Sequence, residues 1–545
     1  MWARVTWNAL LRTGAAIFRR YASALVLERV AAHVGRKCGV FWKKQQRQHW
    51  FSAIMRDYYN VKINLPGGIA SPGYLKDILT AAWNANVRKV RFGSRQQLLM
   101  SVFYEDMRFL EKDLKKNGIF YEMNTDRQPN IVSSYCGEEV FRTGQWLNAN
   151  EYHSVLDTID FDPALKINIS DSNQSFTPFF TGNLNFVSSP EPHFWYLYVR
   201  HKQSNAVYKW NDLVYTNEIG RLAKVIEDCM LSGDWCGEES LYDAVKKKIR
   251  YVSQPASQEL ELPSFSLPYY EGFNRYESRT WLGLYRRDEL FPIDFLLDIC
   301  QLCLKTRIGE ICITPWKSLV IKGIEDQHRT DWSNILGKHN INVRHAANEL
   351  AWQTEDHNED GANLKNDLIH YFEKNDTRTF GLCFGIQTRA KSEVFASVLI
   401  KKRPLLQIGQ LAMFHVYDIY FTENFNPNSR TQLLFEKGLY KIHVAAQLEK
   451  LCRRFNNQRS REHFSIAPVE PEDANQAFKI IEFVYQCPDC LTVYDPEYGD
   501  FAQNIAPGTA FDDLPESYCC ATCENSKAAM IATELNRNLL TEFAS

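Results

Sequence analysis

Cys487, Cys490, Cys520 and Cys523 form two C-x-x-C pairs with 29 residues between them, and they restrict the fold of their region more than any other feature of the chain. Each pair puts two thiolates on one tight loop. Two such loops facing each other enclose a tetrahedral four-sulfur site that suits iron or zinc. A segment of roughly 50 residues buries too little apolar surface to fold comfortably alone, so the metal has to supply part of its stability. The thiolates by themselves leave iron and zinc both open.

The remainder is long enough for about three globular domains, with 545 residues in all and a hydrophobic fraction of 45%. No run of 18 uninterrupted apolar residues occurs, so no transmembrane segment is expected. A net charge of −2 conceals two opposed ends. Residues 1–50 hold ten Lys and Arg against one acid, Glu28, whereas residues 481–526 hold nine acids and no Lys or Arg. The acidic end repels nucleic acid and suits docking onto a basic protein face. Of 14 cysteines, ten are scattered without a regular framework and without a clear secretory signal before them, which fits a reducing cytoplasm.

Six regions follow from the pattern: 1–50, a basic extension; 51–280 and 281–460, two halves of a body; 461–480, a polar linker; 481–530, the cysteine domain; and 531–545, a tail. The extension is amphipathic, with Leu10, Leu11, Phe18, Leu25 and Leu27 among arginines, a pattern also shared by targeting peptides and membrane-surface helices. In the body, Val61–Ile69 predicts a strand ended by a turn, Leu75–Ala85 a helix, Val90–Leu99 a strand and turn, and Asp106–Lys116 a second helix. This alternation suggests an α+β layer with helices on one face. The helix Phe295–Cys303 and the strand–turn–strand Glu310–Ile324 repeat the unit, by pattern more than by identity.

Around the cysteines, Tyr494-Asp-Pro-Glu-Tyr-Gly-Asp500, Ile505-Ala-Pro-Gly-Thr509 and Phe511-Asp-Asp-Leu-Pro515 closely resemble a rubredoxin over residues 482–530. That resemblance implies one iron ion on Cys487, Cys490, Cys520 and Cys523, and a small core of Tyr485, Tyr494, Phe511 and Tyr518. Leu491 and Glu524 stand where rubredoxins usually have glycine, and Tyr518 replaces the usual tryptophan. Cys519 adds a fifth thiol beside the cage, either a bystander or an alternative ligand.

A second resemblance covers residues 55–455. Leu65-Pro-Gly-Gly68, Val90-Arg-Phe-Gly-Ser-Arg-Gln96, Leu165–Asp171, Asn183–Phe186 and Ile313–Leu319 look like the repeated ferredoxin-like half-domains of siroheme nitrite and sulfite reductases. The implied fold class is α+β: two such half-domains plus the small rubredoxin-like iron domain. The resemblance carries siroheme- or anion-binding roles onto Arg91, Arg95 and Lys166, with ordinary salt bridges as the alternative for the two arginines. Asn64 occupies a place where the family has arginine. The four cysteines of the family's [4Fe–4S] cluster should fall near Glu349–Trp352 and Gly381–Gln387, yet Cys383 is alone there, so no such cluster is expected. Cys300 and Cys303 read as core residues of a helix, and His153, His193 and His345 show no paired ligand spacing. Siroheme binding is left open, and so is a role for the body as a docking surface.

Three functions are therefore weighed. The leading one is an electron carrier that passes single electrons through an Fe(Cys)4 centre between a reductase donor and a terminal oxidoreductase, with nitrate, nitrite or sulfite assimilation as the implied setting. The second is a siroheme-dependent nitrite or sulfite reductase with the rubredoxin-like domain as internal donor. The third is a non-redox interaction protein stabilised by zinc.

Overall fold

The computed structural model describes residues 58–141, 146–201, 206–232, 238–276, 278–389, 394–408, 411–464, 483–490, 492–496, 499–500, 503, 505–506, 508–523 and 525–534. The basic extension, the polar stretch from residue 465 to 482, Leu491 and Glu524 lie outside them. The chain divides into two units, Met1–Ser460 and Arg461–Ser545.

The first unit opens with β1 (Tyr58–Ile63), β2 (Ile69–Ala70), α1 (Pro72–Asn84), β3 (Lys89–Phe92), β4 (Leu98–Phe103), α2 (Met107–Lys116) and β5 (Glu122–Met123). Helix α1 begins where the Ser71 side chain accepts the Tyr74 amide and Pro72 takes a first-turn position that needs no amide donor. Its Leu75, Ile78, Leu79 and Ala82 recur at helical spacing and are buried. The helices expected over Leu75–Ala85 and Asp106–Lys116 are thus α1 and α2. A second module follows: β6 (Val132–Ser133), α3 (Ala149–Thr158), β7 (Ile167–Ser170), β8 (Leu184–Ser188), β9 (Phe194–Val199), β10 (Tyr208–Lys209), β11 (Asp212–Tyr215), α4 (Ile219–Ser232), α5 (Glu238–Lys248) and β12 (Ser253–Pro255). Strands β6, β7 and β8 run parallel, and β9 returns antiparallel.

Both modules then recur. The first returns as β13 (Gly272–Tyr276), β14 (Arg279–Leu284), β15 (Phe291–Pro292), α6 (Ile293–Lys305), β16 (Ile311–Ile313), β17 (Leu319–Ile324) and α7 (Arg329–Lys338). The second returns as α8 (Ala347–Leu350), β18 (Trp352–Thr354), α9 (Glu359–Lys374), β19 (Phe384–Gln387), β20 (Val398–Ile408), β21 (Leu411–Thr422), β22 (Gln432–Leu439) and α10 (Lys441–Phe464). Again three strands, β18, β19 and β20, run parallel before β21 turns back. Because β13 pairs with β14, the sheet of the second half already begins at Gly272. Among the described residues no helix is long and apolar enough to cross a membrane.

The two halves trade edge strands. The first sheet has the order β15-β3-β4-β1-β5 and the second β13-β14-β17-β16-β2, so each ends in a strand taken from the other half. Phe291 pairs with Val90, and Ile311 with Ala70. Helices α1 and α6 follow these traded strands directly and bury Leu75, Ile78, Phe295, Leu296 and Ile299 in one common core. Cys300 and Cys303 lie in that core too, fully buried, which pushes the Cys300 thiol up to about 12. The turns after β3 and β16 match: Gly93 donates to the Gln97 carbonyl at 2.8 Å and Thr314 to that of Ser318 at 2.9 Å. Each turn holds a non-glycine residue at positive φ, Gln96 at 62° and Lys317 at 56°. The repeat read from pattern is therefore a duplicated fold.

Gln96 ties the halves together. Its amide donates to the carbonyls of Ser133, at 3.0 Å, and Ile313, at 2.9 Å, and its oxygen accepts the Ser133 amide at 2.8 Å. Gly68 sits beside it at φ 72°, where a Cβ would stand 2.6 Å from both the Gln96 amide and the Ile313 carbonyl. A left-handed conformation costs a side chain about 1–2 kcal/mol even without such contacts. Gly68→Ala should therefore destabilise the body by about 2 kcal/mol or more, read as a lower denaturation midpoint of the full-length protein with an unchanged slope.

The second unit is built on β23 (Phe483–Gln486), β24 (Val493–Tyr494) and β25 (Ile531–Glu534), in the order β24-β23-β25. Strand β25 carries the sheet beyond residue 530 into the stretch expected to be a tail, because its backbone completes the free edge of β23.

Candidate metal centre

Each C-x-x-C segment turns back on its own first cysteine. The Cys487 sulfur accepts the amides of Cys490 and Asp489, and the Cys520 sulfur accepts those of Thr522 and Cys523. The loops are closed by matching backbone bonds, Cys487 N–H to the Thr492 carbonyl at 2.9 Å and Cys520 N–H to that of Asn525 at 2.7 Å. These two loops bring the four sulfurs within 4.8 Å of one another. Cys487 and Cys523 lie 3.5 Å apart, and Cys490 and Cys520 3.3 Å. A tetrahedron with metal–sulfur bonds of about 2.3 Å has edges of about 3.8 Å, so the cage has the dimensions of an iron or zinc site.

Its electrostatics favour thiolate. The Thr522 amide, followed by that of Cys523, outweighs burial and brings Cys520 down to about 6. The Cys490 amide lowers Cys487 in the same way. Cys523 accepts an amide from Asn525, but crowding by the Cys490 and Cys487 sulfurs prevails and pushes it up to about 12. The amide donors thus favour thiolate at the first cysteine of each pair, Cys487 and Cys520.

A small aromatic core supports the cage. Tyr494, Ile505, Phe511, Leu514 and Tyr518 are buried, with Tyr485 and Met530 against them. Tyr485 stacks on Phe511 with 3.6 Å between centroids, and Tyr494 meets Tyr518 edge-on. The Tyr518 hydroxyl donates to Asp500 at 3.1 Å, a bond the usual tryptophan could make only through its indole nitrogen. Cys519 is half-buried and faces Gln503, whose amide donates to the Cys519 carbonyl at 2.6 Å.

The rubredoxin family model matches residues 484–530. The probable rubredoxin HupI of Bradyrhizobium diazoefficiens is 47% identical over 49 residues, 9% of this chain and 71% of that protein. Through its C-terminal domain, the chain belongs to the rubredoxin family. The high molecular weight rubredoxin of Moorella thermoacetica is 53% identical to it over 45 residues, which are 8% of this chain and 20% of that one. An anaerobic nitric oxide reductase flavorubredoxin of Salmonella paratyphi B is 30% identical over 97 residues, 16% of this chain and 20% of its own. The chain thus spans only a fifth of two of these relatives. The body has the fold of the Mycobacterium tuberculosis NirA protein, with a TM-score of 0.56 at 13% identity, covering 73% of this chain and 81% of that one.

In the body, Arg95 and Lys166 line a cavity of about 540 Å³, and Arg91 lines an adjoining one of about 580 Å³; His357 borders both. Arg95 is engaged with the backbone: it donates to the Asn130 carbonyl at 2.7 and 3.1 Å, to that of Ile167 at 3.0 Å and to the Asn168 side chain at 3.2 Å. Cys383 is fully buried beside Ser397, whose amide it accepts at 3.2 Å, and burial pushes its thiol up to about 12. Glu349, at the other expected cysteine position, is clamped by both arms of Arg287 at 2.7 Å. His153 pairs with Glu310, His193 with Glu151 and His345 with Glu271. Among the described residues, the four rubredoxin cysteines are the one cluster of His, Cys, Asp or Glu dimensioned for a metal.

Two supporting residues were not evident from the spacing. The Thr492 hydroxyl lies 3.1 Å from the Cys490 sulfur and 2.8 Å from the Thr522 hydroxyl, so it links the two loops. Both threonines fall within two residues of a ligand, which is the only sequence signal they give. Since the metal stabilises so small a core, stripping it with a chelator under reducing conditions should unfold this domain alone. Hydrogen exchange should then accelerate at Val484–Gln486 and Ile531–Thr533 while β1 and β4 of the body keep their protection.

Proposed function

We propose that this protein is an electron carrier, passing single electrons through a rubredoxin-type Fe(Cys)4 centre between a reductase donor and a terminal oxidoreductase. One observation carries the reading: all four ligand atoms of the cage are protein sulfurs, within 4.8 Å of one another. Iron held there would supply a one-electron ferric/ferrous couple with no coordination position left for a substrate.

The chain's own residues set the conditions for that couple. Amides of Cys490, Asp489, Thr522 and Cys523 point at the Cys487 and Cys520 sulfurs, so they favour the more negative, reduced state. The Thr492 hydroxyl accepts from Cys490 and donates to the Thr522 hydroxyl, which ties the two loops to each other. The buried aromatics exclude water from the side of the cage they pack against. On the outside, Asp489, Asp512, Asp513 and Glu516 are exposed, which suits a basic partner face and a salt-dependent encounter. The nitrite/sulfite reductase-like fold of the body and the flavorubredoxin likeness support a pathway of inorganic nitrogen or sulfur reduction, with the rubredoxin as one module of a larger redox protein.

Cys490→Ser should abolish the red ferric-thiolate absorption and electron uptake from a flavoprotein donor, with the melting of the body unchanged. Undiminished reduction of the variant would refute the carrier reading, and a colourless, zinc-loaded wild type would support the zinc-stabilised alternative. Thr492→Val, which removes the hydroxyl that accepts from Cys490 and donates to Thr522, should loosen the link between the two loops and let a chelator strip the metal faster, measured by the rate at which the visible band bleaches.

A further inference from the structure

A siroheme in the reductase-like body would require cations free to meet its carboxylates, because buried carboxylates without partners are costly. Lys62 is held by Asp126 at 2.5 Å and by Glu122 at the same distance. Arg95 is engaged with backbone carbonyls as described. Lys317, the counterpart of Gln96 in the second half, contacts Glu289 at 2.8 Å, Thr354 at 2.9 Å and Asp356 at 3.5 Å. Lys365 shares Glu289 at 3.2 Å. Burial opposes the charge on Glu289, yet the two lysines hold its carboxyl down at about 2. Arg389 donates to the carbonyls of Asp356 and His357 at 3.2 and 3.3 Å. Burial lowers His357, and the neighbouring Arg91, Lys317 and Arg389 add to this against the opposing pull of Asp356.

One segment meets two of these cations, Lys317 and Arg389. Asp356 accepts the Ser94 amide at 3.2 Å and the Gln97 side chain at 3.1 Å, both from the turn of the first half, while facing Lys317 in the equivalent turn of the second. Gly93 has no side chain where Asp356 arrives: a Cβ there would stand 2.7 Å from its carboxylate. Glu355 anchors the segment from behind, accepting the Arg389 amide at 2.9 Å and the Asn358 amide and Thr388 hydroxyl at 2.6 Å each. Asn358 in turn caps α9 through the Gly361 amide.

We infer that the segment Glu355–Asn358 is a built-in carboxylate strap, which joins the two equivalent turns and sets its carboxylates among the cations of the cleft where the family resemblance would place siroheme. The residues present do not fit an added polyanionic macrocycle, and the body is a tetrapyrrole-free scaffold. The absent cluster cysteines agree with this, since Glu349 and Cys383 are committed to Arg287 and Ser397. The electron-carrier reading is independent of the strap and stands or falls by the Cys490 variant.

The test uses the full-length protein, produced with siroheme supplied and also incubated with purified siroheme, then desalted and scanned. The expected result is rubredoxin absorption with no stoichiometric siroheme bands; one siroheme retained per chain would overturn the inference. In parallel, amide exchange at Ser94 is followed in Asp356→Ala, where loss of the carboxylate should speed it by about tenfold or more through local opening. Should that variant not fold, Asp356→Asn preserves the shape while it removes the charge facing Lys317 and sets an NH2 group against a donor from the first turn, and a smaller acceleration in the same direction is expected. Ser94 exchange unchanged in the folded variant would show that no strap exists.

Discussion

Two very short backbone pairings govern the architecture of the body. Where Ile69–Ala70 joins β16 and Phe291–Pro292 joins β3, each half supplies the strand that satisfies the other's sheet edge. Helices α1 and α6 start immediately after these strands, so the same exchange fixes where the two helices lie and which apolar faces they share. Everything that borders the cleft, including the paired turns carrying Gln96 and Lys317, is positioned by that reciprocal arrangement. An unpaired edge would leave amides and carbonyls without partners inside the protein, a cost of several kcal/mol over even a two-residue strand.

The C-terminal domain is held by a different kind of force. Its apolar core consists of a few aromatic and aliphatic side chains, too small to offset the chain entropy of some 50 residues. Metal–thiolate bonding closes that deficit, and the amide donors of the two loops hold the sulfurs ready for it. The same donors that favour binding also favour the more negative oxidation state. Stability and electronic tuning thus arise from one set of backbone contacts.

The most legible parts of the sequence were those in which chemistry depends on local spacing. The two C-x-x-C pairs and their intervening aromatics disclosed the fold of the C-terminal domain and the four sulfurs it brings together. Leu75, Ile78 and Leu79 disclosed α1 through period alone, and strand–turn–strand similarity disclosed the duplication despite low identity. Reciprocal strand exchange was not legible, because a two-residue strand has no periodicity and its partner is remote in sequence. Nor was the strap: Glu355 and Asp356 look like solvated loop acids until the fold brings Ser94, Gln97 and Lys317 to them. Arg91, Arg95 and Lys166 illustrate the opposite difficulty. The family resemblance carried siroheme- or anion-binding roles onto them, whereas the hydrogen bonds of Arg95 depend on carbonyls of Asn130 and Ile167, which only the folded backbone places within reach.

Duplication followed by exchange has a consequence for how such a body can change over time. Neither half can be inherited, lost or recombined on its own, since each would expose a raw sheet edge and an uncovered helix face. The two copies must therefore drift as a couple, with point substitutions as their main freedom. The matched left-handed turns show how far that freedom reaches: one copy carries a neutral crosslinker in Gln96 and the other a charged residue in Lys317, on the same turn.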